Sequence, residues 1–289
     1  MGTNQGHAFN SSRKRRTSTW LGRGPLQVAA LLLSWEFFVR TFHIRPSILP
    51  SPTRLLLEIW RQAPELLRHA FATATASSEG MVLALAAGFA YATMTVFSNR
   101  AAEISGPVIS VLQRIPWIVF APLLVVWLGY GKPPAAAVAF LMCFFPCAVL
   151  LQAGLRSMPV GTLEIADSMG AGRAAIFRKI RLPACIPFFT SALRLSVSIS
   201  FAGATVAEFV GSDAGIGYLM QYAGSRADTT GVFAALSLLI LMVLILDLVI
   251  LLCERICIHW PATIPPCTGI HRPEQPCPVN SGRASQCRP

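Results

Sequence analysis

The sequence predicts an all-α fold, a polytopic membrane bundle of about six transmembrane helices, and three observations carry that prediction. Of 289 residues, 54% are hydrophobic and only 13% charged, whereas an average soluble domain carries about 25% charged residues. Between Arg68 and Arg194 lie uncharged runs at 80–99, 115–131 and 133–155, close to the ~20 residues a helix needs to cross hydrocarbon. A helix also satisfies its own backbone polar groups, which an isolated strand in lipid cannot do. Several runs of this length in one short chain make a buried soluble core the lesser reading.

The first span is placed at 25–42. Arg13, Lys14, Arg15 and Arg16 precede it, as basic residues precede a secretory signal. No small-x-small cleavage site follows, and Ser34, Trp35 and Glu36 run on into Phe37, Phe38 and Val39, so the segment is read as uncleaved. From 54 to 71, Leu56, Ile59, Trp60, Ala63, Leu66, Leu67 and Ala70 recur at helical spacing, the mark of an amphipathic helix. Pro64 is expected to divide this stretch into two short helices lying at the outer surface or over the bundle. The second span, 78–99, sets Ala84, Gly88 and Ala92 four apart, a face of small side chains that lets another helix approach.

In the third span, 104–129, Pro116 and Pro122 each remove a backbone donor and clash with the preceding turn. A kink or a break is expected there, which either opens a cavity for solute or simply bends a helix. The fourth span is 133–153, reached through a tight turn at Gly131-Lys132. The fifth, 187–210, and its exit repeat the small-residue face with Gly203, Ala207, Gly211 and Gly215. The sixth is 232–256.

Lys and Arg set the orientation, because short loops rich in positive charge stay on the cytoplasmic side. With both termini inside, 15 of the 24 Lys and Arg residues fall on inner segments and six on outer loops. The net charge of +11 is then topology and lipid-headgroup contact, not a nucleic-acid footprint. Residues 1–24 form a basic tail, 25–260 the transmembrane domain, and 261–289 a Pro- and Cys-rich tail with too few apolar residues to pack. Cys143, Cys147, Cys185 and Cys253 lie in or beside spans, and Cys267, Cys277 and Cys287 stand ten apart in a segment placed in a reducing compartment. Neither set suggests a disulfide framework, and the spacing lacks the tight pairs of a metal site. The five histidines, His69 among them, are placed outside the spans. No cofactor or metal is expected.

Motifs of catalysis are missing from the sequence. There is no G-x4-G-K-[ST] phosphate loop, no G-x-S-x-G elbow and no H-E-x-x-H, so the reading is transport without ATP hydrolysis by this chain. Gly170-Ala-Gly172-Arg-Ala-Ala175 meets the loose dinucleotide pattern but follows a helical segment, and it is set aside.

The loop 154–186 carries Arg156, Arg173, Arg178, Lys179 and Arg181 against Glu164 and Asp167. It contains E-I-A-x3-G-x9-I-x-L-P from Glu164 to Pro183. Two short helices are expected. In the first, Leu163, Ala166 and Met169 form an apolar ridge for a partner's groove, ended by Gly170 in a left-handed cap. The second carries Ile176, Phe177 and Ile180 inward, with Arg173 and Lys179 outward.

That spacing resembles the cytoplasmic loop with which permease subunits of ABC importers dock on a separate ATPase. Glu164, Ala166, Gly170, Ile180, Leu182 and Pro183 match, and Ile165 stands where alanine is usual. The likeness extends over about residues 45–260 to the nitrate, sulfonate and taurine branch, through Leu49-Pro50-Ser51-Pro52, Ile115-Pro116, Pro122-Leu123, Gly215-Ile216-Gly217-Tyr218 and Glu254-Arg255. It departs at Glu79, near where arginine is usual, at Ala92 in place of glycine, and at Arg114 where proline is common. The resemblance implies a type I importer permease in the cell inner membrane. It further implies a homodimer, two cytosolic ABC ATPase subunits and an extracytoplasmic solute-binding protein, alternating access, and a small solute such as a sulfonate, taurine or nitrate.

Ionisable groups inside spans are costly and therefore point to pairs or pathways. Arg114, Arg194, Glu208 and Asp247, with the proline pair Pro116 and Pro122, are the candidates for a solute path or an intramembrane pair. Glu36, Arg40 and Glu208 lie near outer boundaries, where water can reach them. Arg194 either pairs with Asp247, the favoured reading, or binds an anion. These charges also motivate the alternative of an ion-gradient-driven secondary transporter.

Overall fold

The computed structural model describes residue 27 and residues 29–257, so the two expected tails, the Cys267, Cys277 and Cys287 set and the first residues of the 25–42 span lie outside it. Among the described residues the secondary structure is helical, without a strand. Helix α1 covers 29–41, followed by α2 (Pro52–Arg61), α3 (Ala63–Phe97) and α4 (Asn99–Leu112). A 3-10 turn (Trp117–Phe120) leads into α5 (Ala121–Leu128), then α6 (Lys132–Leu155) and α7 (Val160–Ser168). A short α8 (Arg173–Ile176) and a π-helical turn (Phe177–Arg181) precede α9 (Leu182–Gly211), α10 (Ile216–Ser225) and α11 (Thr229–Cys257).

Among the described residues, four helices are long and apolar enough to cross a membrane, and the bent pair around residue 115 makes a fifth if it is counted as one span. The core is α3, α6 and α9. Gly80 and Gly88 of α3 sit where an added Cβ would press on Ala136 Oxygen at 2.5 Å and Ala148 N at 3.1 Å of α6. Gly203 of α9 does the same against Ala139 and Met142. The small-residue faces therefore serve helix packing, as their spacing implies, with Ala84 and Ala92 fully buried.

Side-chain links give the helix directions. Lys132, at the start of α6, pairs with Glu79 of α3, while Arg156, just past the end of α6, donates to the Thr95 carbonyl of α3 at 2.6 Å. The two helices thus run parallel over that length, and the 24 residues of α6 span about 36 Å, enough for hydrocarbon. Helix α9 runs the other way: Cys185 lies near the Leu151 carbonyl and Cys147 near the Ser196 hydroxyl. The turns at Ser98, 156–172 and the end of α11 consequently share one end of the bundle. Gly131, whose N–H donates to the Gly211 carbonyl at 3.1 Å, marks the other.

Three boundaries differ from the sequence expectation. The stretch 54–71 is interrupted at Gln62, not at Pro64. Proline occupies the first turn of α3, where its missing N–H has no intrahelical partner to lose, so α3 continues for 35 residues into the second span. Pro122 likewise opens α5 and does not kink it. The second expected short helix of the 154–186 loop begins as α8 but does not end in the loop, because the π turn carries it directly into α9.

Candidate functional site

Helix α7 projects from the end of the bundle that holds the basic loop. None of its described side chains is buried. Ile165 and Met169, one helical turn apart, are 64% and 83% exposed. Leu163 and Ala166 are half-buried, which corrects the expected ridge: the outward apolar pair is Ile165 with Met169. Glu164 is exposed, and its carbonyl accepts the Ser168 hydroxyl at 2.8 Å.

Gly170 ends α7 with φ +77°, a left-handed conformation that costs other residues steric strain. The Gly170 N–H donates to the Asp167 carbonyl at 2.9 Å, and the Ala171 N–H to the Ala166 carbonyl at 3.0 Å. This pair of bonds is a Schellman cap.

The stem of the loop is rigid by contrast. An added Cβ on Gly154 would meet Phe188 Cβ at 2.6 Å and Cys185 Sγ at 2.9 Å, so α6 and α9 touch there. Arg181 donates to the Leu155 carbonyl at 3.1 Å, and Phe177 packs on Phe97 with ring centroids 5.1 Å apart. Ile176, Phe177 and Ile180 turn inward and Arg173 and Lys179 outward, as the spacing implies. Pro183 is half-buried and Leu182 is 38% exposed at the entry into α9. Thus a short exposed helix sits on a stiff base continuous with a spanning helix.

Within the bundle, the third span is broken. Residues 113–116, including exposed Arg114 and Pro116, separate α4 from the 3-10 turn, and the two halves bend by 76°. A cavity of about 320 Å³ beside the break is lined by Gln113, Ile115, Pro116, Trp117 and Phe145, among others. Trp117 stacks on Phe145 at 5.1 Å. Arg194 Nε lies 2.9 Å from Asp247 Oδ1, and a second guanidinium nitrogen lies 3.1 Å from Oδ2. This two-pronged pair matches the favoured reading of the two charges.

Glu208 is a correction. It is 2% exposed and accepts the Thr73 hydroxyl at 2.8 Å and the Gly217 N–H at 3.0 Å. The Ile216 N–H donates to the Thr73 oxygen at 2.7 Å, and the Gly215 N–H to His69 Nδ1 at 3.0 Å. The first backbone donors of α10, which lack intrahelical acceptors, thus find them on α3 and α9. His69, expected outside the spans, is buried in α3. The roles of His69 and Thr73 were missed, and the available signal was their spacing three and seven residues after Leu66, which continues the apolar face of 54–71. Glu36 and Arg40 pair at 2.6 Å, and Glu36 also accepts the Thr53 hydroxyl at 3.0 Å, joining α1 to α2. Glu79, the departure from the family pattern, meets Lys132.

Comparison with known proteins places these features in context. Residues 80–256 match the family described as "Binding-protein-dependent transport system inner membrane component". A probable ABC transporter permease protein of Haemophilus influenzae is 34% identical over 74% of this chain and 88% of its own. The formylaminopyrimidine transport permease ThiX of Halalkalibacterium halodurans is 30% identical, over 80% and 92%. The taurine transport permease TauC of Escherichia coli is 25% identical, over 81% and 87%. Among solved structures, an inward-facing form of the MetNI methionine ABC transporter aligns with TM-score 0.56 at 20% identity, covering 69% of this chain and 97% of that one.

Proposed function

This chain belongs to the family of binding-protein-dependent transport system inner membrane components, and on that premise we propose that α7 is the contact through which a cytosolic ATPase drives it. As an ABC importer permease it is a non-catalytic membrane subunit, and ATP is hydrolysed by a separate chain. The observation that carries the reading is the helix from Glu164 to Gly170, exposed on its apolar pair and capped by a left-handed glycine. A short exposed helix that carries an outward apolar pair suits a partner's groove. Its stiff continuation through Ile180, Leu182 and Pro183 into α9 gives displacement a route into the bundle.

In this reading two copies assemble with two ATPase subunits, both termini face the cytoplasm, and the spans alternate between two states biased by nucleotide. The cavity beside Pro116 is assigned to the solute path, and Arg114 stands in the chain between two of its lining residues, Gln113 and Ile115. The cargo is a small sulfonate, taurine or nitrate delivered by an extracytoplasmic binding protein. The TauC likeness supports that class, and the ThiX likeness makes a pyrimidine the competitor to assay beside it. Arg194 pairs with Asp247 and Glu208 accepts hydrogen bonds from Thr73 and Gly217, which supports a structural role for these groups over that of an ion-driven carrier.

The test is uptake into proteoliposomes holding the permease with its ATPase, the binding protein supplied outside. Uptake is expected to require both ATP and the binding protein. Transport that survives without ATP and collapses with an ion gradient overturns the reading.

A further inference from the structure

Beside the stem of α7, a cavity of about 390 Å³ is lined by Val96, Phe97 and Asn99 on one side and Arg173, Ile176, Phe177 and Arg181 on the other. Its chemistry is divided. Val96, Phe97, Ile176 and Phe177 make an apolar wall, and Arg173 and Arg181 bring two guanidinium groups. A third, Arg156, stands close enough to Arg181 for the two charges to repel. Among the described residues none of the three forms an ion pair. Arg156 and Arg181 are each anchored on a helix-end carbonyl, at Thr95 and Leu155, so they cannot swing away to relieve the repulsion without giving up those bonds.

The height of the cavity matters as much as its charge. It lies where the apolar helix α3 ends at Phe97 and where the continuous helix Arg173–Gly211 begins, and the ends of spanning helices are where headgroups meet a protein. Clustered cations at that level attract anionic lipid. We infer that the cavity binds an anionic phospholipid, its phosphodiester between Arg173 and Arg181 and an acyl chain along Phe97, Ile176 and Phe177. The apolar wall distinguishes this occupant from free phosphate, which has no use for it. A lipid held there ties the segment that follows α7 to the membrane plane. The inference is independent of cargo and of ATPase docking.

The experiment uses full-length permease purified in detergent, stripped of lipid and titrated with phosphatidylglycerol, phosphatidylcholine or inorganic phosphate, followed by native mass spectrometry. Phosphatidylglycerol is expected to bind at least tenfold more tightly than phosphatidylcholine, and inorganic phosphate to leave its occupancy unchanged. Arg173 is exposed and makes no hydrogen bond among the described residues, so Arg173→Ala is expected to keep the melting temperature while weakening phosphatidylglycerol about fivefold. Arg173→Lys is expected to retain most of the binding, and Arg61→Ala, on α2, all of it. Equal affinity for the two lipids, or unchanged binding in Arg173→Ala, overturns the proposal. Arg173-dependent displacement of the lipid by inorganic phosphate overturns the lipid as the source of the anion.

Discussion

Replacing Gly170 by valine isolates the cap of α7 from everything else in the protein. An added Cβ at this position meets no atom within 4 Å, so the substitution creates no clash with a neighbour. Its cost is confined to the backbone, because φ of +77° places a Cβ too near the following carbonyl, about 1–2 kcal/mol for an ordinary residue and more for a β-branched one. At about 1.4 kcal/mol per factor of ten, the capped ending of α7 becomes roughly tenfold or more less populated. The bonds from Gly170 and Ala171 to Asp167 and Ala166 are lost with it, and the last turn, which presents Met169, frays. Uptake driven by ATP in proteoliposomes is expected to fall at least tenfold, while membrane insertion and melting temperature stay at wild-type values, since none of the described side chains of α7 is fully buried. Gly170→Asn is the companion variant. Asparagine tolerates the left-handed region, so it should keep most of the activity. Normal uptake by Gly170→Val refutes the argument, and so does an equal loss in Gly170→Asn.

Gly154→Ala is expected to lower stability by about 1–3 kcal/mol through overpacking against Phe188 and Cys185, read as a drop in melting temperature. Gly161→Ala, in open space on α7, should be neutral or stabilising by up to about 1 kcal/mol, since glycine weakens a helix interior. Glu208→Ala leaves the Gly217 N–H and the Thr73 hydroxyl without their acceptor and is expected to cost about 1–3 kcal/mol for each group that stays unpaired. Glu208→Gln keeps an acceptor oxygen and should lose less, which thermal unfolding of the two variants in detergent will compare.

Much of this architecture was legible because its causes are local. Runs of apolar residues mark spans wherever they fall. The break before Trp117 follows from Pro116, whose ring removes a donor, and the left-handed end of α7 follows from Gly170. The Arg194 and Asp247 pair was reachable because two opposite charges inside spans have few other places to go. Reading failed where one local signal has two meanings. Pro64 and Pro122 can break a helix or open one, and here both open one. Leu163, Ala166 and Met169 share a face by spacing, yet in the fold the first two are half-buried and Ile165 with Met169 is the exposed pair.

Sequence alone determined the long apolar helices, the alternation of basic and less basic loops, a kink or break at Pro116 and the glycine cap, since hydropathy, φ limits and missing donors belong to single residues and short windows. Tertiary structure decided which helices touch and how deep each charge lies. Thr73 meets Glu208 across 135 positions and Gly215 meets His69 across 146. Such contacts exist only once α3, α9 and α10 have docked, and then the orphan donors at the start of α10 make a buried carboxylate the favourable partner.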